Sequence, residues 1–143
     1  MANTFSRQII QDGYRNGQVK IDGLLDSTDA VLVPALGLSD FLNNDQNLLL
    51  CGLRFDTIDY SIPYNMVVNL YWEATVPQSI AQLTGSDLHQ FTGGILPDRT
   101  KAGYTGNILL STKGFDISKA QGFTLTLGLI KLYTRGSVIS ADP

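Results

Sequence analysis

A single histidine, a single cysteine and two pairs of closely spaced aspartates are where this 143-residue sequence could support catalysis or metal binding. A metal site of histidine and cysteine needs more ligands than His89 and Cys51 supply. As a general base, His89 would need an orienting acid and a nucleophile. It has no apolar frame and no adjacent cysteine, and is expected in a loop or at a strand edge. A reactive thiolate needs an electropositive, partly open setting. Cys51 instead lies in the run Leu48-Leu49-Leu50-Cys51-Gly52-Leu53, which predicts a small buried hydrophobe that cannot form an internal disulfide. Sugar hydrolysis requires only two carboxylates flanking a bond. Asp56 and Asp59, however, are an odd number of residues apart and face opposite sides of a regular strand. Asp26 and Asp29 belong to a turn, and neither pair fits a calcium-loop pattern. The Gly-x-Ser-x-Gly motif, the phosphate-binding loop and the dinucleotide fingerprint are absent. The run Gly93-Gly94-Ile95-Leu96-Pro97 opens no helix that could cradle phosphate. The expectation is a protein without catalytic residues, metal or cofactor.

The aromatic residues divide in two. Tyr14, Tyr64 and Tyr104 fall in loop segments, where tyrosines stack on sugars or fill a partner's pocket. Trp72 alternates with Met66, Val68, Leu70 and Ala74 on one face of a strand, opposite Val67, Asn69, Tyr71, Glu73 and Thr75, which predicts a core position.

The elements that must position these residues are short and apolar. Residues 4–11 form a first strand, a turn follows over residues 12–17, and residues 18–25 return with Val19 and Ile21 inward and Lys20 and Asp22 facing water. Residues 30–33 predict a strand that Pro34 confines to an edge or an end. At most one helical turn fits residues 39–44. From residue 48 to 62 the inward phase slips near Asp56 and Thr57, from Cys51, Leu53 and Phe55 to Ile58, Tyr60 and Ile62, as a β-bulge or a change of sheet would produce. Residues 78–83 and 88–92 are weaker strand candidates, residues 93–106 a long glycine-rich loop, and residues 107–112 and 123–133 the closing strands. Seven to nine strands with turn signals between them predict an all-β fold. It is an antiparallel β-sandwich, of plain or jelly-roll connectivity, rather than a closed barrel. No repeat or linker divides residues 1–143, and residues 135–143 read as a polar tail.

Bulk properties narrow the function classes. A net charge of −3, with ten basic residues spread as singles, offers no phosphate-tracking stripe, so no nucleic-acid partner is expected. No apolar stretch is long enough to span a membrane, and the first residues lack the pattern of a signal peptide. Synthesis in a reducing cytoplasm is expected. A charged fraction of 16% is low, and a weakly charged surface argues for assembly with partners.

Three blocks together carry a resemblance: IQDGYRNGQVKIDGLLD (residues 10–26), the central strand pair with VNLYWEAT (68–75), and TGNILLST (105–112) followed by the strand FTLTLGLIKLY (123–133). In this order the chain resembles a group of small virion structural proteins of tailed bacteriophages, over most of its length and through strand and turn patterns without a catalytic signature. The resemblance implies a non-enzymatic particle component made in the bacterial cytoplasm and located in the virion. Its preferred role is a capsid decoration or cement protein that binds the major capsid protein and copies of itself as a symmetric oligomer. A tail or neck component is the second particle role, and a carbohydrate-binding sandwich using loop tyrosines is the alternative from another class. Contacts are expected from the N-terminal residues up to Phe5, from the 93–106 loop and from the tail after Tyr133, with Phe5, Tyr14, Arg15, Tyr64, Arg99, Tyr104 and Arg135 as interface candidates.

Overall fold

The computed structural model describes residues 3–44, 48–116 and 120–134. They form nine strands, β1 (Thr4–Asp12), β2 (Asn16–Leu25), β3 (Val33–Leu36), β4 (Leu49–Ser61), β5 (Val67–Trp72), β6 (Gln78–Leu83), β7 (Ser86–Ile95), β8 (Ile108–Lys113) and β9 (Gln121–Thr134), with one 3₁₀ turn at Leu38–Asp40. Two antiparallel sheets, ordered β1-β2-β9-β4-β7 and β3-β8-β5-β6, enclose one hydrophobic core. β2 pairs with β9, β3 with β8, β4 with β7 and β5 with β6. This nesting is a long hairpin folded across two sheets, the jelly-roll arrangement, with β1 added at one edge.

Strict alternation builds the core. Met66, Val68, Leu70 and Trp72 are buried from β5 and the residue before it, and Phe123, Leu125, Leu127 and Leu129 from β9. Phe55 meets Trp72 edge-on across the two sheets, with ring centroids 5.3 Å apart, a geometry in which one ring's positive edge meets the other's negative face. The phase slip in β4 is a β-bulge: Phe55 pairs with Leu129 and Thr57 with Gly128, leaving Asp56 unopposed.

Several expectations are corrected. The third strand lies at Val33–Leu36, not at residues 30–33. Ala30 is held instead by the Thr112 hydroxyl and amide, while Pro34 sits in an edge strand as its missing N–H requires. Gly93 and Gly94 belong to β7 and not to the following loop. Their φ angles are +78° and +76°, and a side chain on Gly94 would collide with Arg54. Glycine therefore permits the bulge over residues 91–94 that opposes Asp56. Asp56 and Asp59 do not face opposite sides. The bulge resets the phase, so both point outward, and Asp56 is held by Arg54 at 2.9 Å. Cys51 is not a fully buried hydrophobe. A second bulge, between Leu50 and Gly52, turns it out of the inward row.

Antiparallel pairing sorts the connections into two ends. One end, here called the loop end, carries residues 13–15, 37–44, 73–77 and 96–107 and the exit of β9. The opposite end carries the start of β1 and residues 26–32, 62–66, 84–85 and 114–116.

Candidate functional site

The residues with chemical potential are dispersed or already engaged. Among the described residues no group of three or more histidine, cysteine, aspartate or glutamate side chains could hold a metal ion, and no helix is long and apolar enough to cross a membrane. His89 lies on the edge strand β7, its Nε2 2.9 Å from the Tyr60 hydroxyl. That pair offers no activated oxygen, because burial and then the Asp87 charge raise the Tyr60 pKa above its ordinary 10.0. Asp29 accepts from the Thr112 hydroxyl and the Phe115 amide, both at 3.0 Å, and so is a structural turn residue.

The loop end is the most elaborated surface. The β7–β8 connection, residues 96–107, is fixed on the turn between β5 and β6. The Thr75 amide donates to the Ala102 carbonyl (2.9 Å), the Glu73 amide to the Asn107 carbonyl (2.9 Å), and the Thr105 hydroxyl to the Glu73 carboxylate (2.6 Å). Gln78 and the Asp98 backbone exchange two bonds, at 2.9 and 3.0 Å. Hydrogen bonds from the Thr100 hydroxyl and amide, with Lys101 nearby, hold the Asp98 carboxyl below its ordinary range. Long loops are commonly mobile, whereas this one has a bonded partner along most of its length.

The other side of the loop rests on the start of β4. Tyr104 donates its hydroxyl to the Cys51 carbonyl at 3.0 Å, and Arg99 Nη1 lies 2.8 Å from Cys51 Sγ. The Cys51 thiol, which the sequence sets among leucines, donates to the Leu132 carbonyl at 3.4 Å and has the Arg99 cation beside it. Burial, then the nearby Cys51, pushes Tyr104 up to about 12 against the opposing pull of Arg99. It acts as a hydrogen-bond donor that locks the loop and is not presented to a ligand.

Between the loop and the β5–β6 turn lies a cleft of about 430 Å³ lined by Thr75, Val76, Pro77, Gln78, Lys101 and Ala102. Within the lining Val76 is 78% exposed, and Leu96, at the start of the same loop, is 59% exposed. Leu42, at 88%, together with Leu48, Leu49 and Tyr14, adds exposed apolar surface at the same end. Exposed apolar side chains occur at the opposite end as well, where Val31 is 76% exposed and Leu24 45%.

Four of the predicted interface residues fall at this end. Tyr14 and Arg15 form the β1–β2 turn, where the Tyr14 carbonyl accepts from the Tyr133 hydroxyl and the Arg15 carbonyl from the Lys131 amide at 2.7 Å. Arg99 and Tyr104 belong to the 96–107 loop. Phe5 and Tyr64 lie at the opposite end. Phe5 is half-buried against Phe123, with centroids 6.4 Å apart, and Tyr64 is 89% exposed at the tip of the β4–β5 turn. Arg135 and the tail lie outside the described residues.

Sequence reasoning missed Val76, Leu96, Leu42 and Leu49 as surface groups. The legible signal was an apolar residue beside a turn proline, as in Val76-Pro77. It also missed Lys131, which occupies the inward row of β9 and forms an ion pair with Asp12 at 2.5 Å with its own side chain fully buried.

No protein-family model matches this chain, and no curated protein matches it.

Proposed function

We propose that this protein is a non-enzymatic virion structural protein of a tailed bacteriophage, a decoration or cement protein that binds the major capsid protein and stabilises the shell. The observation that carries the reading is the loop end, where a connection hydrogen-bonded along most of its length borders a cleft lined in part by Val76 and Pro77, with Leu42, Leu49 and Leu96 also exposed at that end. The groups placed there hold one another by hydrogen bonds, which favours a surface that recognises a partner as a preformed shape. The sequence resemblance supports a particle role. The jelly roll is used by viral capsid domains and by lectins, an argument by analogy of fold. Many copies, each making a modest contact, add stability to a shell by mass action.

The alternative reading, a carbohydrate-binding sandwich, uses loop tyrosines as sugar platforms, with Tyr64 or Tyr104 as the residue whose loss would abolish binding. These two lie at opposite ends of the sandwich, and the Tyr104 hydroxyl is engaged within the fold. That leaves Tyr64 and Tyr14, which also lie at opposite ends, a weak basis for a single sugar site.

Quantitative mass spectrometry of this chain against the major capsid protein in purified particles tests the proposal. Hundreds of copies per particle support shell decoration, about six or twelve would move the protein to a tail or neck ring, and absence from particles would overturn the virion reading. Within the leading reading, Val76→Asp and Leu96→Asp are expected to lower particle occupancy without changing the fold. Removal of the tail after Tyr133 is expected to leave a folded domain that binds particles poorly.

A further inference from the structure

Four strands form the edges of the two sheets, β1 and β7 in one and β3 and β6 in the other. Natural sheets protect their edges with short strands, prolines, charged side chains or crossing segments. β3 has four residues and contains Pro34. β1 is tied to the other sheet by Arg7, which donates to the Ala35 carbonyl and pairs with Asp40 at 3.3 Å. β6 has six residues and is crossed at its first one by the Gln78–Asp98 bonds. β7 differs from these three: it has ten residues and no proline, its one charged residue is Asp87, its bulge lies at residues 91–94 and leaves 86–90 regular, and it is exposed over most of its length.

The orientation of its free groups follows from the ladder. The Gly85 carbonyl accepts from the Ile62 amide at 2.8 Å, and hydrogen-bonded and non-hydrogen-bonded pairs alternate from there. Ser86, Leu88 and Gln90 therefore direct their N–H and C=O groups away from β4. Among the described residues the Leu88 amide is met only by the carboxylate of its own neighbour, Asp87, at 2.8 Å. Leu88 faces outward and is 54% exposed. His89 is paired with Ile58 and uses Nε2 toward Tyr60, leaving Nδ1 for another partner.

We infer that β7 is a self-recognition edge, where a second copy of this chain adds its own β7 in antiparallel register about a two-fold axis at Leu88. The strand is self-complementary in that register. Leu88 meets Leu88 and the two exchange main-chain bonds, Ser86 meets Gln90, and Asp87 of each copy faces His89 of the other. On pairing, the Asp87 carboxylate leaves the Leu88 amide, which finds a carbonyl, and turns to the opposing imidazole. The two five-stranded sheets become one continuous sheet. This concerns the isolated chain, so it stands or falls separately from the particle reading, and the loop end of each copy remains uncovered.

Sedimentation velocity of the full chain over a wide concentration range tests it. The expected result is reversible association to twice the 15.6 kDa chain mass. Leu88→Pro is expected to abolish association while leaving circular dichroism and melting unchanged, since that amide serves no bond to β4. Asp87→Lys and His89→Asp are each expected to be monomeric alone. The first sets an introduced ammonium against the imidazole of the other copy, and the second sets an introduced carboxylate against the native Asp87. Mixed together they should restore the dimer, because each introduced charge then meets its opposite. This exchange decides the matter even where the proline variant fails to fold. A monomeric wild type, a trimer, or a dimer indifferent to the charge changes would overturn the inference.

Discussion

Lys131 shows how one residue can carry a cost that its neighbours offset. It follows Leu125, Leu127 and Leu129 in the inward row of β9, where alternation demands an apolar group. Its ammonium is instead enclosed by Asp12 at 2.5 Å, the Asn43 carbonyl at 2.9 Å and the Phe41 ring, with its centroid at 4.9 Å. Burial raises the Asp12 pKa, but hydrogen bonds from Lys131 and from the Leu42 and Asn43 amides outweigh it, and the carboxyl falls below its ordinary 3.8. Removing one partner of such a pair strands the other charge, so Asp12→Ala is expected to cost about 3 kcal/mol. Lys131→Met, which removes the buried charge itself, is expected to cost about 1 kcal/mol or less. Urea denaturation of the two variants checks the order. Because the folded pKa of Asp12 is depressed, its stabilisation is present in full above the unfolded value. It is lost as pH falls through the folded value. Denaturation midpoints measured down through the carboxylate range are expected to fall less steeply in Asp12→Asn than in the wild type. None of this was legible in the sequence, where Asp12 and Lys131 are 119 residues apart.

At the scale of elements, the bulges decide what faces where. The slip at Asp56 was legible because the apolar phase changes from odd to even positions across it. The slip at Cys51 was not, because Leu48, Leu49 and Leu50 are apolar in every phase and leave no alternation to break. The Gly93-Gly94 pair carries a turn signal, and only the packing of Arg54 against Gly94 identifies it as a bulge in a strand. Asp56 is the extra residue of its bulge relative to β9 and is skipped in the pairing with β7 as well. Its deletion is expected to leave the inward positions of Phe55, Ile58 and Tyr60 unchanged and to cost about 1 kcal/mol or less for the lost, partly exposed Arg54 pair. Deleting Asp59 instead shifts Tyr60 and Ser61 to the wrong faces and is expected to abolish folding. Thermal melts of the two deletions, with circular dichroism, separate these outcomes.

For the whole molecule, the contact between Phe55 and Trp72 joins the two sheets at the middle of the core. Trp72→Ala is expected to cost about 3–5 kcal/mol, a large share of the roughly 5–15 kcal/mol that holds a domain of this kind together, and calorimetry would register it as a large loss of melting temperature. The all-β class, the core rows of β2, β5 and β9 and the absence of familiar catalytic motifs were determined by the sequence itself, because period-two alternation and turn chemistry are local properties of the chain. The jelly-roll nesting, the grouping of loops into two ends, the separation of Tyr64 from Tyr104, the capture of Cys51 by Arg99 and the bare edge of β7 were decided by the tertiary structure. Each depends on which strands become neighbours, and that is set by burying every apolar face at once, a condition that no local stretch of sequence contains.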